Sequence, residues 1–261
     1  MKGNEKISFT AEAVAFMRAS ENSDRFSKYF LSESAKKKFN LISKLIPQSY
    51  LKTIFGRRIA LSEDLDKMID SYHPEQIIEL ACGYSPRGLV FTSKNKKLIY
   101  IESDFSSVID KKREIINTIL KDNKIKLSKN HHFVKIDSIS DDLVNSLGKV
   151  IDKNKKTLIL SEGFVSYLNK EEHDFLISNI SNLLSKVKNG TYLGHESKFK
   201  MLNGVIGKLL LIYRNIVSKT KSNKHFNNAE EIKEYFISHG FRKIKVIDSK
   251  KSGNTIYLAI K

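Results

Sequence analysis

What most constrains this chain is an alternation. From residue 76 onward, short apolar runs trade places with longer amphipathic stretches. Runs at 77–81, 98–101, 132–136, 157–160 and 190–194 read as strands. Amphipathic segments at 106–120, 140–147 and 170–187 fall between them and read as helices. A strand buried on both faces shows a continuous apolar run, while a helix shows one apolar stripe. Strands and helices in strict alternation are best buried as a parallel sheet with helices on both faces. The end of the chain breaks this rule. A helix at 229–238 stops at His239-Gly240, and two strands at 241–247 and 255–260 follow, joined by a polar turn. A short turn joins antiparallel strands, so the sheet should close with a hairpin.

The first 70 residues carry no strand pattern. Residues 8–46 are dense in helix formers, with a break and an N-cap at 22–24. A second helix is expected over 25–45, stopping before Pro47. A third at 50–71 has Leu61, Leu65, Met68 and Ile69 at helical spacing. The expected division is a helical cap over 1–71 and a core over 72–261, with a helical insertion near 198–218. The single cysteine excludes an internal disulfide and a cysteine metal cluster, and no metal is expected. The longest apolar stretch, 205–216, is interrupted by Gly207, Lys208 and Arg214 and is too short to span a bilayer. No apolar run of signal-peptide length follows the N-terminus, so the expected location is cytoplasmic.

The net charge of +17 invites a nucleic-acid partner. Yet only eight of the 46 basic residues are arginine, and the lysines are scattered in pairs and triples such as Lys36-Lys37-Lys38, Lys111-Lys112 and Lys155-Lys156. Phosphate readout favours clustered arginine, so these runs read as solvated surface.

In a parallel sheet, polar groups at the carboxyl ends of neighbouring strands converge on one crevice. Four acidic or small-residue clusters fall there: Glu79 through Gly83, then Glu102 with Asp104, then Asp137, then Glu162 with Gly163. An acid after the second strand is placed to accept from ribose hydroxyls, and one after the third from an adenine amino group. Asp137 could equally cap the next helix.

Three segments give a specific resemblance. Glu79-Leu80-Ala81-Cys82-Gly83-Tyr84-Ser85-Pro86-Arg87-Gly88, Tyr100-Ile101-Glu102-Ser103-Asp104-Phe105 and Ser161-Glu162-Gly163-Phe164-Val165-Ser166-Tyr167-Leu168 resemble successive signatures of the leucine carboxyl methyltransferase family. Thr10-Ala11 and Arg18-Ala19-Ser20-Glu21 resemble that family's N-terminal cap. The resemblance implies a Rossmann-like seven-stranded sheet, mostly parallel with a C-terminal antiparallel hairpin, and S-adenosylmethionine (SAM) as cofactor. It implies that Glu79, Ala81 and Gly83 form the turn approached by the amino-acid portion of SAM. Arg87 would contact the SAM carboxylate or brace the loop. Asp104, with Glu102 beside it, matches the ribose acid, Asp137 the adenine acid, and Glu162 the acid near the methionine moiety. Tyr167 matches a tyrosine at the substrate mouth or fills the core. The chain departs from the family where Ala81 and Ser85 replace a glycine and an aspartate. An arginine before the first strand is matched by either Arg57 or Arg58.

The function implied is methyl transfer to an oxygen, carboxylate or hydroxyl, of a small-molecule acceptor. Methylation of a protein carboxyl terminus and RNA binding on a methyltransferase-like fold are the alternatives. A carboxylate acceptor needs no base at neutral pH, whereas a hydroxyl is helped by one. His195, expected just past the fifth strand, is the candidate base, with a structural histidine as the other reading.

Overall fold

A computed structural model describes residues 4–21, 24–45, 47–197 and 223–261. Three helices come first: α1 (Asn4–Ser20), α2 (Glu33–Leu45) and α3 (Gln48–Tyr72). The first half of the sheet follows as β1 (Gln76–Leu80), α4 (Arg87–Lys94), β2 (Ile99–Asp104), α5 (Ser106–Asp122) and β3 (His131–Lys135). The second half runs through α6 (Leu143–Leu147), β4 (Thr157–Ser161), α7 (Lys170–Leu184), β5 (Thr191–Ser197), α8 (Ala229–Ser238), β6 (Lys243–Ser249) and β7 (Asn254–Ile260). The seven strands lie in the order β3-β2-β1-β4-β5-β7-β6. The first five pair in parallel, and β7 runs against both β5 and β6. The expected sheet with its antiparallel end is the one that forms. Winding reverses between β1 and β4, which opens a crevice at their carboxyl ends.

Each face of the sheet buries its own cluster. Ile78, Leu80, Ile159 and Tyr192 pack with Leu176 and Ile180 of α7 and Phe236 of α8. On the opposite face Ile77, Tyr100, Leu158, Leu193 and Ile256 pack with Leu61, Leu65 and Ile69 of α3. Residues four apart align on one side of a helix, so these three side chains form a stripe. Each such burial stabilises by about 1.5–3 kcal/mol. The second half of α3 is therefore a layer of the core and lies along the sheet. A third cluster joins Ala15 of α1, Phe26 and Phe30 to Tyr84, Leu89 and Val108.

The structure corrects several sequence expectations. The helix expected over 25–45 is broken. The Asp24 carboxylate accepts from the backbone N–H of Phe26 and Ser27, at 2.8 and 2.6 Å, and the chain makes only a 3-10 turn over Ser27–Phe30. Leu31 is extended, and the Ser32 hydroxyl accepts from Ala35 N–H at 3.1 Å to start α2 afresh. Short polar side chains here outcompete the helix for its own backbone groups. Strand β5 runs three residues further than expected because β7 pairs with it from Thr191↔Ile260 to Ser197↔Asn254. His195 thus lies inside a strand. Lys112, expected at the surface, is fully buried. The expected insertion at 198–218 lies outside the described residues. Among the described residues, no helix is long and apolar enough to cross a membrane.

Candidate functional site

The site grows from the turn that ends β1. Ala81 and Gly83 both take the left-handed conformation, with φ of 50° and 48°. Such backbone favours glycine, and it costs a residue with a Cβ roughly 1–2 kcal/mol. The turn is held from β2. Asp104 accepts from Gly83 N–H with one oxygen and from Phe105 N–H with the other, both at 2.8 Å. Burial raises the Asp104 pKa, and these two bonds oppose the rise. Above the turn sits α1, with the Ala11 methyl group 3.5 Å from where a Cβ on Gly83 would stand.

Beside this turn lies a buried charge cluster. The Glu162 carboxylate pairs with Arg18 of α1 at 3.4 Å, Arg58 of α3 at 3.2 Å, and Arg87 of α4. Burial works to raise the Glu162 pKa, but the guanidinium groups of Arg87, Arg58 and Arg18 outweigh it and hold the carboxyl far below its usual range. Arg87 also donates to Glu79 and Asp66 and to the Ser62 hydroxyl. Glu79 in turn accepts from the Tyr100 hydroxyl at 2.7 Å. Arg18 reaches the Ser85 hydroxyl at 3.2 Å, so the serine in place of the family's aspartate ties the turn to the cap. Gly163 has φ of 71°, and a Cβ there would stand 2.7 Å from the Arg58 guanidinium. Its N–H donates to His195 Nε2 at 2.8 Å.

The crevice thus gathers Glu79, Ala81, Gly83, Arg87, Asp104, Glu162 and His195. The other expected residues are found in local contacts of their own. Glu102 is fully buried beneath α4, where it pairs with Lys112 at 3.1 Å and His131 at 3.4 Å. A Cβ on Gly88 would come within 2.5 Å of its Oε1, so α4 needs a glycine to lie over this group. Asp137 accepts from Ile139 N–H at 3.2 Å and forms a turn ahead of α6, which Asp142 caps. Tyr167 lies partly buried in a 3-10 turn over Val165–Tyr167.

Sequence reasoning missed Ser62 and Asp66 and left Arg57 and Arg58 undivided. Arg58, Ser62 and Asp66 are spaced four apart, so they form a polar stripe on α3 beside its apolar one. That stripe was the available signal. Arg58 faces the crevice, while Arg57 lies 3.7 Å from where a Cβ on Gly253 would stand, in the turn between β6 and β7.

The sequence profile described as leucine carboxyl methyltransferase matches residues 11–181. No curated protein sequence matches the chain. Among solved structures, a Nostoc punctiforme protein provisionally classed as an O-methyltransferase superposes with a TM-score of 0.54 at 12% identity, over 82% of this chain and 58% of that one. Human N-acetylserotonin methyltransferase in complex with SAM gives 0.51 at 14% identity, over 78% and 53%. Magnesium protoporphyrin IX methyltransferase from Synechocystis, with bound S-adenosylhomocysteine (SAH), gives 0.51 at 11% identity, over 81% and 87%. The chain spans little more than half the length of the first two. These likenesses establish the fold.

Proposed function

Because the chain belongs to the leucine carboxyl methyltransferase family, we propose that it transfers a methyl group from SAM to an oxygen, carboxylate or hydroxyl, of a small-molecule acceptor. One observation carries the reading: a left-handed turn, a strand-end aspartate and a guanidinium cluster drawn from three helices meet at the topological switch point of the sheet.

The residues suit this cofactor. Two left-handed residues bring bare backbone to the crevice. Among the described residues, the buried Nε of Arg58 has no hydrogen-bond acceptor, so it can take a carboxylate from outside the fold. Arg58 and Arg18 would hold the methionyl carboxylate, and Glu162 the ammonium beside it. Asp104 keeps lone pairs on both oxygens beyond the two backbone bonds, enough to accept from ribose hydroxyls. Asp137 would accept from the adenine amino group, and Tyr167 would border the acceptor. Arg87, with its donors committed to Asp66, Glu79, Ser62 and Glu162, braces the loop. Glu102 supports α4 from below and leaves the ribose to Asp104. When bound, the cofactor supplies a methyl group on a sulfonium centre, open to in-line attack. The protein's share is orientation.

Calorimetry with SAM and SAH tests this. Wild-type protein should bind both. Asp104→Ala should weaken binding by about ten- to a hundredfold, the loss of a hydrogen bond to a charged group. Absence of binding to the wild type would overturn the reading.

A further inference from the structure

His195 is the one titratable ring that β5 presents to this site, and its surroundings assign it a task other than moving protons. The side chain is only 8% exposed. Its Nε2 takes the Gly163 N–H at 2.8 Å, which occupies the lone pair a base would need. A neutral imidazole that accepts at Nε2 carries its proton on Nδ1. That Nδ1 is buried and, among the described residues, has no hydrogen-bond acceptor, while the Asn254 side chain of β7 lies near the ring. Burial, then the nearby Arg58 charge, lowers the His195 pKa to about 4, with the Glu162 carboxylate opposing. The imidazole is therefore neutral across the physiological range.

We propose that His195 is a positioning residue: its Nδ1-protonated ring pins Gly163 from β5, and so fixes Glu162 under the arginines that grip the methionyl end of the cofactor. The proposal rests on the cofactor reading above. It explains the left-handed Gly163. Any side chain there would push on Arg58 while the N–H still had to reach the ring.

Two measurements test it. Nitrogen-15 NMR of histidine-labelled protein, with the His195 signals assigned by their loss in His195→Gln, should show the Nδ1–H tautomer unchanged between pH 5.5 and 8. An Nε2–H tautomer, or titration within that range, would overturn the proposal. Calorimetry then separates positioning from general damage. His195→Ala should weaken SAH by about tenfold, the worth of one buried hydrogen bond, and leave adenosine, which lacks the methionyl end, unchanged. His195→Gln, with an amide oxygen in reach of Gly163 N–H, should recover most of the loss. Equal losses for SAH and adenosine, or no loss for SAH, would overturn the proposal. If the wild type bound neither ligand, the cofactor reading would fail and the purpose assigned to the pin with it, while the tautomer would still report whether the pin exists.

Discussion

Ala81 stands in a left-handed conformation where the family carries a glycine. Ala81→Gly removes the Cβ strain of roughly 1–2 kcal/mol and returns roughly 0.5–1 kcal/mol as unfolded-chain entropy. Net stabilisation follows, and the melting temperature should rise by about 1–4 °C. An unchanged or lower value would mean the turn relaxes around alanine. Glu196, one residue past His195 and on the opposite face of β5, is 4% exposed, and burial pushes its pKa up to about 7. A carboxyl whose folded pKa lies above its unfolded value costs stability as pH rises from the unfolded value through the folded one. Glu196→Gln should therefore raise the melting temperature at pH 8, by an amount equivalent to about 2–3 kcal/mol, and change it little at pH 4. Equal effects at both pH values would refute this account.

Elements show where local sequence preference yields. The stretch 25–45 reads as one helix, yet Asp24 and Ser32 divide it by binding backbone N–H groups. The division lets Phe26 and Phe30 pack with Tyr84 at the edge of the site. Helix α5 carries a lysine into the core, where Lys112 meets Glu102 against His131. Burial opposes both charges. Lys112 nevertheless holds the Glu102 carboxyl below its usual range, and neighbouring acids hold Lys112 charged. Removing one partner of such a pair leaves an uncompensated buried charge. Lys112→Met alone should destabilise by about 3–5 kcal/mol, while the double change Lys112→Met with Glu102→Gln should recover much of that. Chemical denaturation of the single and double variants measures the difference. A double variant no better than the single would mean Lys112 matters for packing and not for charge.

At the scale of the whole molecule, folding gathers one polar network at the carboxyl ends of the central strands β1 and β4. It runs from Asp66 through Arg87 to Glu79 and Glu162, and on to the helices before β1. Acid should attack the fold from two directions. Glu102 and Glu162 have lowered pKa values, so the stability they contribute is lost as pH falls through those values. His173 and His195 are buried neutral, with pKa values lowered to about 3 and about 4. A lowered histidine costs stability as pH drops below its unfolded value of about 6.5. Glu196, Glu79 and Asp104, whose pKa values burial raises, act in the opposite sense over this range, so the melting temperature of Glu196→Gln should fall from pH 6.5 toward pH 4 more steeply than that of the wild type. A variant profile that stays flat would show that the histidines keep their ordinary values.

Sequence alone determined the sheet, its antiparallel end and the family, because each depends on period, order and short motifs that lie within one stretch of chain. Alternating runs needed no distant partner to be read, and Asp104 and Glu162 announced themselves by standing where strands stop. Tertiary structure decided which polar residues meet. Arg58 reaches Glu162 while Arg57 lies by the turn between β6 and β7, Lys112 lies inside, Glu102 sits beneath α4, and the His195 lone pair is filled by a backbone amide from the bend after β4. The choice of arginine depends on the rotation of α3, and the setting of His195 on the pairing of β5 with β7. Both are set by which apolar stripe the sheet buries, a contest between distant segments that no local pattern records.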